Sequence, residues 1–236
     1  MTLQDEIIST VSHEMRTPLT SIRGFSQTLL NSWEKLDDDN KRKFIKIIEE
    51  QSNRLINLVE NILTVSKENS EILVFKKIDV NKLIKDILPI FTEKYKDHKF
   101  IFNESKNSLL ARLDEDKFQQ IITNLLDNAG KYSQENTMVT ITTELQNEFI
   151  LIKISDEGIG IKAEDVDKLF KKFSRIENHL TSKTQGNGLG LYITKNLVEK
   201  MNGKISLKSQ FNKGTEFQIE FPLYNPEEAL KCSRTS

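Results

Sequence analysis

The chain has 236 residues, 37% of them apolar, enough for a buried core and, at this length, for two modest domains. Its 34 Lys and Arg nearly balance 35 Asp and Glu, so a net charge of -1 supplies no global field for nucleic acid or an anionic membrane, and any phosphate site must be local. One cysteine, Cys232, excludes an internal disulfide framework and a cysteine-based metal cluster, and fits a reducing compartment.

No run approaches the roughly 18 consecutive apolar residues that cross a bilayer, and residues 1 to 12 lack the regions of a signal peptide. The piece is expected to be soluble and cytoplasmic. A periodic pattern is already under way at Leu3, as in a helix cut from something longer, so membrane attachment would come only through a missing upstream region.

Ile8, Val11, Met15, Leu19, Ile22, Phe25 and Leu29 recur three or four residues apart, and Phe44, Ile48, Gln51, Leu55, Leu58, Ile62 and Val65 do the same. The acidic stretch Trp33 to Asn40 is a turn between two antiparallel helices. A lone hairpin buries only one face, so a second copy is expected to complete a four-helix bundle homodimer. Domain boundaries are placed at 1–68 for this hairpin, 71–224 for a second domain and 225–236 for a disordered tail, with Glu68 to Ser70 as linker and hinge.

The remainder alternates. Strands are expected at Ile72 to Phe75, Phe100 to Phe102, Val139 to Thr143, Phe149 to Ile154, Lys204 to Ser209 and Glu216 to Phe221; helices at Val80 to Tyr95, Asp116 to Tyr132 and Leu189 to Met201. Asn212-Lys213-Gly214 is a hairpin signal. The fold class is α+β: the helical hairpin, then an α/β sandwich with helices on one face of a mixed sheet.

Five stretches carry chemistry. In "NLLDNAGKYS", Asn124 and Asn128 lie one turn apart on one helix face, where two carboxamides offer Mg²⁺ hard oxygens without adding negative charge beside a triphosphate. Lys131 suits a phosphate and Tyr132 a flat ring or sugar; a solvated polar face is the bland reading. In "ILIKISDEGIGI" an apolar strand delivers Asp156, an acceptor for an exocyclic amine, ahead of Gly158 and Gly160, which let a ligand approach backbone; an ordinary turn is the alternative.

"GNGLGL" sets Gly186, Gly188 and Gly190, with Leu189 and Leu191, at the start of a helix, where backbone NH groups can surround phosphates. The dinucleotide and P-loop readings fail on context, because no strand precedes it directly, the glycine spacing differs and a Walker-type lysine is missing. In "LFKKFSRIE", Phe170 and Phe173 are core or anchor a mobile lid; Arg175 is a candidate for a terminal phosphate, and the polar dozen residues beyond would be the lid.

The fifth stretch, "SHEMRTPLT", places His13 two residues from both Val11 and Met15, about 200° around the helix from each, so it should face solvent. A lone histidine is ordinarily an unremarkable surface residue; the flanking Glu14, Thr17 and Pro18 argue otherwise. Glu14 can accept a hydrogen bond from Nδ1 and leave Nε2 free as a nucleophile, and Pro18 should bend the helix beside it. His98 and His179 have no such surroundings and read as solvent-exposed.

Taken in chain order, the His13 stretch, the asparagine pair, Asp156-x-Gly-x-Gly, Phe170-x-x-Phe and Gly186-x-Gly-x-Gly resemble the transmitter core of sensor histidine kinases from about residue 3 to residue 222. The resemblance implies a dimerisation and phosphoacceptor hairpin joined to an ATP-binding domain of the GHKL type. It makes His13 the phosphoacceptor, gives Mg²⁺ to Asn124 and Asn128, phosphates to Lys131 and Arg175, the nucleotide face to Tyr132 and adenine to Asp156. Asp114 and Gln120 also match commonly occupied positions. Gly130 departs from a larger apolar residue, expected to loosen that helix end, and Glu157 from Asn or Thr.

The implied activity is ATP-dependent autophosphorylation of His13 and transfer to an aspartate of a response regulator receiver domain, with Thr17 orienting water for the reverse hydrolysis. Two readings compete: a dimeric signalling scaffold that binds nucleotide without turnover, and a GHKL ATPase of chaperone or topoisomerase type, which leaves "SHEMRTPLT" unexplained. No basic patch or stacking motif supports a nucleic-acid partner.

Overall fold

The structure, a computed structural model, describes residues 3–66, 72–174 and 188–225, with side chains of the first helix from Ser9 onward. The expected linker at Glu68 to Ser70, His179, Arg175, Gly186, nearly all of the expected lid and nearly all of the tail lie outside the described residues. Two compact units divide the chain, Met1–Glu71 and Ile72–Ser236.

In the first unit, α1 (Leu3–Ser32) and α2 (Asp38–Ser66) are joined through a single 3-10 turn, Trp33–Lys35. Asp37 starts α2: its carboxylate accepts from the Asn40 backbone NH at 2.7 Å, while Asp38 and Asp39 place negative charge at the positive helix end. The hairpin's antiparallel register is set by Phe25 against Phe44, with ring centroids 5.1 Å apart, and by Arg54 on Glu14 at 3.1 Å.

The α1 seam corrects one expected position. Leu19 is 51% exposed, and Pro18 takes the buried place instead. Val11, Met15, Pro18, Ile22, Phe25 and Leu29 alternate steps of four and three without interruption, which keeps them on one stripe, whereas Leu19 sits about 100° further round. α1 continues through Pro18 without a break in its helical assignment.

In the second unit, β1 (Phe75–Asp79) pairs antiparallel with β3 (Leu110–Asp114), and β2 (Lys99–Asn103), β4 (Met138–Gln146), β5 (Phe149–Asp156), β7 (Gly214–Pro222) and β6 (Lys204–Gln210) form a five-stranded sheet in that order. The sheet is mixed because β2 runs parallel to β4 while every other neighbour is antiparallel. The expected strand at Ile72 to Phe75 starts only at Phe75, since β1 runs where β3 offers a ladder; before it, the Val74 NH donates to the Asp114 side chain.

Helices α3 (Val80–Lys94), α4 (Glu115–Tyr132) and α6 (Gly190–Lys200) cover one face; α5 (Ala163–Val166) is a single turn. α4 contributes Phe118, Ile121, Ile122, Leu125, Leu126 and Ala129 to the core, against Val139, Ile141, Ile152, Ile154, Ile219 and Phe221 of the sheet. Along β4 the alternation of Val139, Ile141 and Thr143 inward with Thr140 and Thr142 half-buried gives the period of two for a sheet covered on one side. Asp114 caps α4 by accepting from the Lys117 NH at 3.1 Å. Its place ahead of the asparagine pair is therefore a structural one.

Candidate functional site

Three close approaches bring the sequence motifs of the second unit together. Gly190, the first residue of α6, lies so near α4 that a Cβ there would fall 2.5 Å from Asn124 Oδ1. Gly158 sits against the chain leaving α4, where a Cβ would lie 2.4 Å from the Tyr132 carbonyl oxygen, and the Ile159 NH donates to that same carbonyl. Gly188, with φ +67°, packs on Phe173 and Ser174, so the "LFKKF" and "GNGLGL" runs meet. These glycine contacts and the α4 face outline one site; Gly160 adds a left-handed turn (φ +60°) against the Gln210 carbonyl.

Asp156 ends β5 with its Oδ1 held by the backbone NH groups of Gly158 at 2.9 Å and Thr215 at 3.2 Å. Burial pushes its carboxyl up to about 6, against the pull of those two hydrogen bonds. Oδ1 is thus committed to backbone, and the second oxygen is the acceptor available to a ligand amine. Glu157, the departure beside it, is engaged by backbone elsewhere, its carboxylate accepting from the Met138 NH at 3.1 Å.

Asn124 and Asn128 are both half-buried on α4. The Asn124 Nδ2 donates to Thr194 Oγ1 at 2.7 Å, leaving Oδ1 at the start of α6. Leu189 is fully buried and anchors the start of that helix, while Leu191 is half-buried. Phe170 and Phe173 are half-buried rather than core, with the Lys195 ammonium 5.7 Å from the Phe170 ring centroid.

Lys131 forms an ion pair with Asp127, which also takes Lys94 at 2.5 Å and the Tyr95 hydroxyl at 2.6 Å. Burial opposes ionisation of Asp127, but Lys131, Lys94 and Tyr95 together hold its carboxyl below the usual carboxylate range. Burial and the Asp127 charge push the Tyr95 phenol up, so it stays a neutral donor.

Two sequence expectations fail around Tyr95. His98 is half-buried, not solvent-exposed: its ring stacks on Tyr95 at 5.9 Å and Nε2 lies 3.0 Å from the Gly130 carbonyl oxygen. Gly130 does not loosen α4, which continues to Tyr132; the Tyr95 ring occupies the space of the missing side chain, and a Cβ there would lie 2.8 Å from ring carbons.

Gly130→Ala should therefore destabilise the protein by about 1–3 kcal/mol despite the higher helix propensity of alanine. In a Tyr95→Ala background the same change should stabilise by about 1 kcal/mol. Urea denaturation of the four proteins checks this; the same sign in both backgrounds would disprove the packing argument.

His13 is exposed on α1, as the helical geometry requires. The Thr17 hydroxyl lies 3.4 Å from the His13 carbonyl oxygen, one turn back, and Glu14 is engaged across the hairpin by Arg54. Among the described residues, no cluster of His, Cys, Asp and Glu fit to hold a metal occurs.

Comparison with known proteins is consistent along the chain. The His Kinase A (phospho-acceptor) domain family matches residues 3–71, and the histidine kinase-, DNA gyrase B- and HSP90-like ATPase family matches residues 113–225. The signal transduction histidine-protein kinase ArlS of Staphylococcus haemolyticus is 33% identical over 220 residues, 92% of this chain and 48% of ArlS. The sensor histidine kinase WalK of Bacillus subtilis is 34% identical over 229 residues, 94% of this chain and 37% of WalK. The chain thus spans about half the length, or less, of these curated relatives.

Among solved structures, histidine kinase ThkA in complex with response regulator protein TrrA superposes with a TM-score of 0.72 at 27% identity, covering 94% of this chain and 62% of ThkA. Histidine kinase AdeS of Acinetobacter baumannii gives 0.69 at 25% identity, covering 90% of this chain and 98% of the AdeS chain.

Proposed function

We propose, for a chain that belongs to the sensor histidine kinases and forms their transmitter core, that it phosphorylates His13 from ATP and passes the phosphoryl group to an aspartate of a response regulator receiver domain. What supports this reading is the pairing, in one chain, of an exposed His13 on the hairpin with Gly190 packed on Asn124, Gly158 packed on the Tyr132 carbonyl, and a half-buried Asp156 at the end of β5. The ThkA complex, which contains a response regulator, supports the choice of partner.

In this reading Asp156 accepts from the adenine amine through the oxygen that backbone leaves unengaged, and the Tyr132 ring lies along the nucleotide. Asn124 and Asn128 hold Mg²⁺ through their carboxamide oxygens; a neutral oxygen pair fits a hard cation that the phosphates already neutralise. When bound, Mg²⁺ offsets the charge that builds on the transferring phosphate. Lys131 exchanges its Asp127 partner for phosphate oxygens, and the α6 start adds backbone NH groups. Arg175 is assigned to the terminal phosphate.

The His13 Nε2 lone pair forms a bond to the γ-phosphorus while the bond to the bridging oxygen breaks and ADP leaves. Glu14 beside it, exchanging its Arg54 partner, receives the hydrogen bond from Nδ1–H, the tautomer that leaves the lone pair on Nε2. Thr17 retains hydroxyl lone pairs that can orient water for hydrolysis of the phosphorylated regulator. Phosphoryl transfer asks little covalent work of the protein, so positioning dominates, and the two units must meet during each cycle.

The working form is a homodimer. Ile45, Ile56, Val59 and Leu63 form a second apolar stripe on α2 that the hairpin itself leaves exposed, as a bundle partner requires. No described helix is long and apolar enough to cross a membrane.

Incubation with γ-labelled ATP and Mg²⁺ is expected to give a protein-bound label that acid removes and alkali preserves, and that a cognate receiver domain takes up. Nucleotide affinity with no such label would instead establish the non-turnover scaffold.

A further inference from the structure

We propose that Thr194 is a positioning residue that holds the Asn124 carboxamide with its oxygen, not its nitrogen, toward Mg²⁺; the inference rests on the assignment of Asn124 as a metal ligand. A carboxamide is nearly symmetric in shape, yet only one of its ends can bind a cation. Turned the wrong way, Asn124 would point two N–H bonds at the metal. Something in the protein must therefore choose between the two orientations.

Thr194 lies one turn into α6, 1% exposed, and its Oγ1 accepts from Asn124 Nδ2 at 2.7 Å. Its buried companions on the helix are Ile193, Leu197 and Val198, so a hydroxyl here is the polar exception and costs free energy unless it is bonded. A threonine hydroxyl carries two lone pairs, so Oγ1 can accept from Nδ2. The acceptor role then draws Nδ2 to Thr194 and turns Oδ1 away from it.

Gly190 completes the device from the same helix. Oδ1 occupies the space that a Cβ at 190 would enter, 2.5 Å away, so the missing side chain admits the oxygen at the start of α6. One helix thus orients the amide through residue 194 and makes room for its oxygen at residue 190, one turn apart. Valine matches threonine in shape and suits the apolar surroundings, so its substitution removes the acceptor with little change in packing.

The test titrates the full 236-residue chain with a fluorescent ATP analogue, once with Mg²⁺ varied and once in EDTA. Thr194→Val is expected to raise the Mg²⁺ concentration at half-saturation about tenfold, the range for partners of metal ligands, with affinity in EDTA unchanged. Thr194→Ser should restore the wild-type value within about twofold, and Thr194→Ala should follow Val. A Thr194→Val protein with wild-type Mg²⁺ dependence, or one losing affinity equally in EDTA, would overturn the positioning role. Asn124→Ala separates the two levels: if it leaves Mg²⁺ dependence intact, the ligand assignment itself falls.

Discussion

Asp156→Asn is expected to abolish useful nucleotide binding while making the free protein more stable at neutral pH. Burial raises this carboxyl from 3.8 to about 6, so the folded protein binds its proton more tightly than the unfolded chain does. The associated stability is fully present below about pH 4 and is lost as pH rises through 6. At pH 7 the ionised group therefore costs the fold about 3 kcal/mol. Asparagine carries no charge, and its oxygen can keep the Gly158 and Thr215 NH bonds.

The substitution should thus stabilise by up to about 3 kcal/mol at pH 7 and by almost nothing at pH 4, read by urea denaturation at both values. The ligand side runs the other way. The amide nitrogen would face the adenine amine donor to donor, and losing a charged acceptor costs about 2–3 kcal/mol, roughly a hundredfold in affinity. Wild-type affinity should itself weaken as pH falls below about 6, where the acceptor is protonated. A variant that binds ATP normally, or that is less stable than wild type at pH 7, would remove Asp156 from its assigned role.

His13→Ala is expected to eliminate protein-bound phosphate completely while leaving ATP affinity and folding unchanged. The side chain is exposed and lies on the hairpin, whereas the residues assigned above to the nucleotide belong to the second unit. Alanine is the best helix former, so an exposed substitution of this kind should change stability by no more than about 0.5 kcal/mol. Equal nucleotide binding with zero label separates loss of the acceptor from loss of the site. Label persisting in the variant would identify a different acceptor.

The hairpin is legible in the sequence because its seam repeats locally and needs no partner to be recognised. Leu19 is misplaced only because a proline does not look like a seam residue, yet Pro18 keeps the alternation that Leu19 breaks. The strand Leu110–Asp114 escapes a sequence reading because its pairing with Phe75–Asp79 is made far along the chain, and five residues ahead of a helix carry little signal alone. Ala111 and Leu113, buried on either side of the exposed Arg112, are the signal that could have found it.

The site divides in the same way. Asp156, Gly158 and the asparagine pair can be read because short runs impose local geometry. Thr194 cannot, since its partner Asn124 stands 70 residues away and a threonine in an apolar helix looks like core. Tyr95, His98 and Gly130 likewise acquire meaning only when α3 packs on the end of α4, where a glycine makes room for a ring.

The most direct measurement is to treat the protein with ATP and Mg²⁺, digest it at alkaline pH and locate the phosphoryl group by mass spectrometry. With His13 as acceptor, the added phosphate resides on the imidazole of the peptide containing "SHEMR" and on no other. Phosphate on a different residue, or a His13 peptide unmodified in a labelled protein, would contradict it.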